Sequence, residues 1–195
     1  MDRTSTIQRT TAETDIRVAL NVDGRGDASV ATGLPFFDHM LTLWAVHGFF
    51  DLEVQARGDI EVDGHHTVED VGICLGRAMR EALGDFHGLR RFGHAVVPME
   101  DALARATVDF CRRPYLRFRA KFPAPTVGGF DLELVEEFLR ALAVNAGLTL
   151  HVEVPYGGNG HHMAEAVFKA LGRAMDQGTG LDPRLKGPLS SKGTL

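Results

Sequence analysis

His-His-x-x-Glu occurs twice in this chain, as His65-His66-Thr67-Val68-Glu69 and as His161-His162-Met163-Ala164-Glu165. Aligned without a gap, residues 64–79 and 160–175 agree at ten of sixteen positions, and four of the nine histidines sit in these doublets. Imidazole and carboxylate are metal ligands and acid-base groups, so the duplication points to duplicated chemistry. On a helix, residues four apart lie about 40° from one another and adjacent residues about 100° apart. His65 and Glu69 therefore grip one ion together, whereas His66 must reach another. His161, Glu165 and His162 repeat the arrangement. Mixed imidazole-carboxylate ligation suits manganese, iron or zinc, and the lack of thiolates argues against a structural zinc knot. Each doublet gives one ligand set to one ion and one imidazole to another, which favours sites shared between halves or subunits.

The elements that must hold these residues follow from periodicity. In the first doublet helix, Val68, Val71, Leu75, Met79 and Ala82 form one apolar stripe; in the second, Ala164, Val167, Leu171 and Met175 do so. Alternation predicts strands over Ile16–Val22, Ala28–Thr32 and Leu52–Ala56, with helices over Phe36–His47 and from the doublet to about Leu83, ended by Gly84. Strands over Ala102–Asp109, Tyr115–Lys121 and Thr149–Val154, with helices over Leu132–Asn145 and His161–Gln177, replay that order. The chain thus reads as two β-β-α-β-α half-domains split near Arg90–Gly93, helices packed together and sheets outside. Ala45-Val46-His47 parallels Ala143-Val144-Asn145, and in that register His39 falls opposite Glu137, another potential ligand. The Pro/Gly/Ser-rich tail from Asp182 to Leu195 reads as a mobile terminus on composition alone.

Composition narrows the class. At 195 residues, 44% apolar and 24% charged, the chain is long enough to bury a sizeable core and is not a disordered sequence. A formal charge of −5 gives no reason to expect nucleic acid. Two cysteines, Cys74 and Cys111, do not make a disulfide scaffold. The polar N-terminus has no apolar signal core and no run reaches membrane-spanning length, so the expected compartment is the cytoplasm.

The run GLPFFDHML, then AVHG, DGHHTVEDVGICLGRAM, RRFG, RRPY, NGHHMAEAVFKALGRAM and SSKG resembles imidazoleglycerol-phosphate dehydratase, from about Arg9 to Leu195. The resemblance implies dehydration of D-erythro-imidazole-glycerol 3-phosphate to imidazole acetol phosphate in histidine biosynthesis, through an imidazolate or diazafulvene-like intermediate on two manganese ions. It implies an α+β fold of duplicated ββαβα half-domains, a four-helix layer between two four-stranded mixed sheets, of the ribosomal protein S5 domain 2-like type. One catalytic domain, residues 1–195, would comprise pseudo-repeats of about 5–90 and 91–180 plus the tail 182–195. Subunits would form a homo-oligomeric 24-mer with active sites, two manganese ions in each, at subunit interfaces. Carried over by motif, one ion takes His39, His66, His161 and Glu165, and the other His65, Glu69, Glu137 and His162. Glu13, His47 and Glu165 would be catalytic, with Glu13 transferring protons. Glu13, His39, His47, His65 and Glu69 would also face substrate. Arg91, Arg113, Lys169, Ser191 and Lys192 would bind its phosphate, turning the tail into a clamp.

This sequence departs from relatives in having Glu137 for a common histidine, Gly64 for an acidic residue, and Leu43-Trp44 in a usually more polar stretch. No phosphatase segment precedes the doublets, so histidinol-phosphate hydrolysis is not expected. Two rival readings use the same ligands: a dinuclear metallohydrolase acting on a phosphoester, and a metal-buffering cage.

Overall fold

A computed structural model of the chain describes residues 3–194; Leu195, the last residue of the expected tail, lies outside them, as do the first two residues. The strands are β1 (Thr4–Thr10), β2 (Thr14–Asn21), β3 (Ala28–Ala31), β4 (Asp51–Gly58), β5 (Phe92–Met99), β6 (Ala102–Phe110), β7 (Tyr115–Arg119), β8 (Thr126–Val127), β9 (Phe130–Asp131) and β10 (Leu148–Tyr156). The helices are α1 (Pro35–Gly48), α2 (His65–Leu83), α3 (Leu134–Ala146) and α4 (Gly160–Thr179). One four-stranded sheet runs β1-β2-β4-β3 and the other β5-β6-β10-β7; β8 and β9 form a small separate ribbon. In both large sheets the first three strands are antiparallel neighbours and the fourth joins in parallel, so the two halves share one plan.

The ββαβα order recurs as expected, and each unit is preceded by an additional strand, β1 or β5. Both lie at a sheet edge, with one side of the strand unpaired. In β1 only Ile7 is apolar. The expected boundary at Arg90–Gly93 falls at the start of β5.

Apolar alternation sets the register of the inner strands. Ile16, Val18 and Leu20 of β2 face Ala56, Val54 and Leu52 of β4, all on the helix-facing side. The helices lie between the sheets and pair across the halves, α1 with α4 and α2 with α3. A glycine at the same place in each doublet helix permits this. A Cβ on Gly172 would lie 2.5 Å from the Trp44 carbonyl oxygen of α1, and one on Gly76 would lie 2.8 Å from the Leu142 oxygen of α3. Bare backbone thus meets backbone at both crossings. The predicted stripes of both doublet helices are buried in a single core that also holds Trp44, Phe37, Phe138 and Phe168.

Local signals fix the helix ends. Asn159 caps α4 by accepting from the His161 and His162 amides, at 2.9 and 3.4 Å. Asp63 accepts from the His65 amide at 2.8 Å, although Gly64 holds the cap position. At the end of α1 the left-handed residue is Phe49 (φ 56°), while Gly48 lies in close contact with Gly172.

Candidate active site

Pairing of α1 with α4 brings a histidine of the first half to the doublet of the second. His39 Nε2 lies 2.8 Å from Glu165 Oε1, and His161 Nε2 lies 3.1 Å from the same oxygen. Ligand atoms of these three residues all fall within 4.8 Å of one another. Glu165 is only 8% exposed, whereas His39 and His161 are 45% and 41% exposed, so the cluster has a buried floor and an open mouth. Burial alone would raise the Glu165 pKa; hydrogen bonds from Lys169 (2.6 Å to Oε2), His39 and His161 outweigh it and bring the carboxyl to about 2. An ionised carboxylate and two imidazoles facing one point can hold a divalent cation.

The helical geometry required the second histidine of each doublet to work elsewhere, and the structure pairs both with an aspartate outside the cluster. His66 Nδ1 donates to Asp59, 3.0 Å from Oδ2, with Glu13 Oε2 at 3.8 Å. His162 Nδ1 donates to Asp101 Oδ1 at 2.6 Å. Those carboxylates raise the pKa of both rings and leave each Nε2 free of the aspartate contact. Asp59 and Asp101 escaped the sequence reading because they occupy different places in the two copies, one after β4 and the other in the β5–β6 turn. The only available signal was the density of acids just before the first doublet.

The structure does not gather His65, Glu69 and Glu137 in the same way: among the described residues, no second ligand group forms. Glu137 leans towards Arg140, 3.7 Å away, and Glu69 and His65 are exposed. A repeat difference explains the asymmetry. Glu165 has Lys169 one turn on, whereas Glu69 has Ile73 at the matching place and no cation to draw it inward.

The expected phosphate residues fall in two places. Arg91, in a left-handed conformation (φ 72°), chelates Asp109 at 2.6 and 3.0 Å and donates to the Leu189 carbonyl at 2.6 Å. A concavity of about 610 Å³ opens between Arg91 and tail residues 184–191, including Ser191. Arg113 and Lys192 are exposed, and Arg113 reaches Asp109 only at 3.8 Å. The tail follows the linker between the halves through a bridge of Leu181 to Leu89 and the bond from Gly88 N to Gly187 O, which composition had not indicated. Lys169 instead sits at the metal-ligand cluster. His47 closes α1, its pKa lowered by burial and by Lys169 and Arg173 of α4. Trp44 is wholly buried against Phe50, so the departure at Leu43-Trp44 places an indole in the core, away from any ligand.

Comparison with known proteins meets this geometry. The family profile of imidazoleglycerol-phosphate dehydratase matches residues 32–175, which include both doublets. The chain is 57% identical to the imidazoleglycerol-phosphate dehydratase of Geobacillus kaustophilus and 56% identical to that of Shouchella clausii, over 195 residues and all of each chain. The chain belongs to the imidazoleglycerol-phosphate dehydratase family. The crystal structure of the Staphylococcus aureus dehydratase superposes with a TM-score of 0.84 at 39% identity, covering 92% of this chain and 99% of that one. The Pyrococcus furiosus dehydratase, solved in complex with (S)-C348, gives a TM-score of 0.84 at 37% identity, covering 97% and 100%. The chain is thus a hydro-lyase of histidine biosynthesis, and His39, His161 and Glu165 are a group in it that can hold a metal.

Proposed function

We propose that this dehydratase converts D-erythro-imidazole-glycerol 3-phosphate to imidazole acetol phosphate in the cytoplasm, as one catalytic domain working with two manganese ions per site. The observation that carries the metal reading is the convergence of His39, His161 and Glu165 from two halves of the chain. Their donors fit the ion: two imidazole nitrogens and an oxygen of a carboxylate that stays ionised, with no sulfur present. When bound, manganese would supply Lewis acidity and a template for the imidazole ring.

The protein's own groups have separable tasks. The reaction removes the hydroxyl beside the ring and a proton from the next carbon, through a diazafulvene-like species, and leaves an enol that becomes the ketone. Glu13, exposed and 3.8 Å from His66, would move that proton. Lys169 holds Glu165 ionised, and His47 lies at the end of α1 to contact substrate. Arg91, oriented by Asp109, would combine with Arg113, Ser191 and Lys192 around the phosphate.

Assembly follows from the ligand count. One chain gathers three ligands of the first ion, while His66 is held away by Asp59, so a second copy would supply it. His65, Glu69, Glu137 and His162 would complete the other ion at the same boundary. Exposed Val46, Phe49 and Val144 at the ends of α1 and α3 offer apolar surface for the contacts of a 24-mer. No described helix is long and apolar enough to cross a membrane.

The test is product analysis with metal-depleted enzyme before and after manganese is restored, for the native chain and His161→Ala. Manganese should restore formation of imidazole acetol phosphate in the native chain only. Release of inorganic phosphate in place of that product would reject the reading in favour of a hydrolase.

A further inference from the structure

Asp70 is a carboxylate in the core that none of these tasks uses. It is 7% exposed, on the inner side of α2 next to Glu69. Burying a carboxylate costs several kcal/mol unless it is paired and hydrogen-bonded. Asp70 has both: Arg9 Nε donates to Oδ1 at 2.9 Å, and the Thr14 hydroxyl donates to Oδ2. Arg9 and Thr14 flank the β1–β2 turn that carries Glu13. Within that turn the Thr11 hydroxyl oxygen accepts from the Glu13 and Thr14 amides, at 3.1 and 3.0 Å. The Glu13 carbonyl then accepts from the Asp59 amide at 3.2 Å, and the Asp59 carboxylate holds His66. One continuous chain of hydrogen bonds thus runs from Asp70 through the Glu13 turn to His66.

The duplicated half shows that the fold itself does not require this acid. At the position matching Asp70 the second copy has Ala166, although the flanking Glu and Val are kept. There the β5–β6 turn is tied differently, by Asp101 accepting from the Gly158 and Asn159 amides at 2.6 and 3.0 Å. An acid at this position occurs only in the copy whose turn bears Glu13.

We propose that Asp70, with Arg9 and Thr14 as its two arms, is a positioning residue that fixes the backbone of the turn from which Glu13 transfers protons. It acts through Glu13 and does not itself touch substrate or metal. The proposal rests on the assignment of Glu13 as the proton-transfer group. A misplacement of about 1 Å costs on the order of a hundredfold in rate, whereas loss of an acid-base group costs about 10²–10⁴-fold.

A double-mutant cycle in the manganese-loaded enzyme tests it, using Glu13→Gln, Asp70→Ala and the pair. Asp70→Ala should lower kcat about 10–100-fold with KM little changed and manganese content intact. Placed on Glu13→Gln, it should lower kcat no further, because the group it positions is gone. Thr14→Val, which removes one arm and keeps the Arg9–Asp70 pair, should lower kcat in the same sense by less, and it keeps the test open if Asp70→Ala fails to fold. Three results would overturn the proposal. Multiplicative effects in the pair would give Asp70 a merely structural role while leaving Glu13 in place. Loss of manganese in Asp70→Ala would make it a support for Glu69. Full turnover by Glu13→Gln would remove the role of Glu13 itself, and the positioning role with it.

Discussion

Replacing Gly172 by alanine separates two opposed effects whose sizes the structure sets. Alanine favours a helix interior over glycine by about 1 kcal/mol, so on propensity alone the variant should be more stable. Its Cβ, however, would lie 2.5 Å from the Trp44 carbonyl oxygen and 3.0 Å from the Gly48 amide nitrogen. Both are backbone atoms and cannot rotate aside. To restore an ordinary contact of 3.4 Å the two helices must part by 3.4 − 2.5 = 0.9 Å at that point. Overpacking of a dense core costs about 1–3 kcal/mol, and a backbone obstacle puts this case at the upper end. The net expectation is a loss of about 2 kcal/mol, or roughly 4–8 °C in Tm for a chain of this size. The same separation pulls His39 on α1 from Glu165 on α4, so manganese affinity should fall with stability. Scanning calorimetry of the metal-free variant and the native chain at one protein concentration, with a manganese titration of each, measures both. A Tm equal to or above that of the native chain would show that propensity wins and that the helices do not meet backbone to backbone. A lower Tm with unchanged manganese affinity would refute the link between the crossing and the site.

Three further outcomes follow from particular contacts. Gly58→Ala would set a Cβ 2.1 Å from the Thr67 hydroxyl oxygen, a buried group without a hydrogen-bond partner; a loss of about 1–3 kcal/mol is expected in urea unfolding. Adding Thr67→Ala should recover part of it, and no recovery would disprove the clash. Glu165 in the metal-free protein has its pKa lowered from 4.5 to about 2, so its stabilisation is present above 4.5 and disappears as pH falls through about 2. Glu165→Gln should therefore be less stable than the native chain at pH 7, with the gap narrowing from pH 4.5 downward; a gap constant with pH would contradict the assigned pairing. Lys192→Ala should raise KM with kcat nearly unchanged in steady-state kinetics, and an unaltered KM would count against a phosphate clamp in the tail.

Much of the architecture is readable from periodicity, because most elements bury one full face. The stripes from Val68 to Ala82 and from Ala164 to Met175 are spaced for a helix and are buried as such. The strands β1 and β5 were not readable: Thr4–Thr10 has Ile7 as its one apolar side chain, and in Phe92–Met99 the apolar residues run together from Ala95 without the alternation that marks a strand. The same limit applies at the site. Helical angles separate His65 and Glu69 from His66, yet they carry no information on which neighbour answers each.

The sequence by itself determined that something chemical was duplicated, that imidazole and carboxylate would do it, and, through its motifs, to which family it belongs. Those are matters of residue type and local spacing, which the chain carries without folding. Tertiary structure decided which copies meet. Gly172 and Gly76 let each doublet helix cross the first helix of the other half, and so His39 reaches Glu165 across 126 positions of sequence. It also decided that the two copies differ: Lys169 draws Glu165 inward, while Ile73 leaves Glu69 exposed. Long-range packing of two helices is a property of both surfaces together, and neither segment encodes it alone.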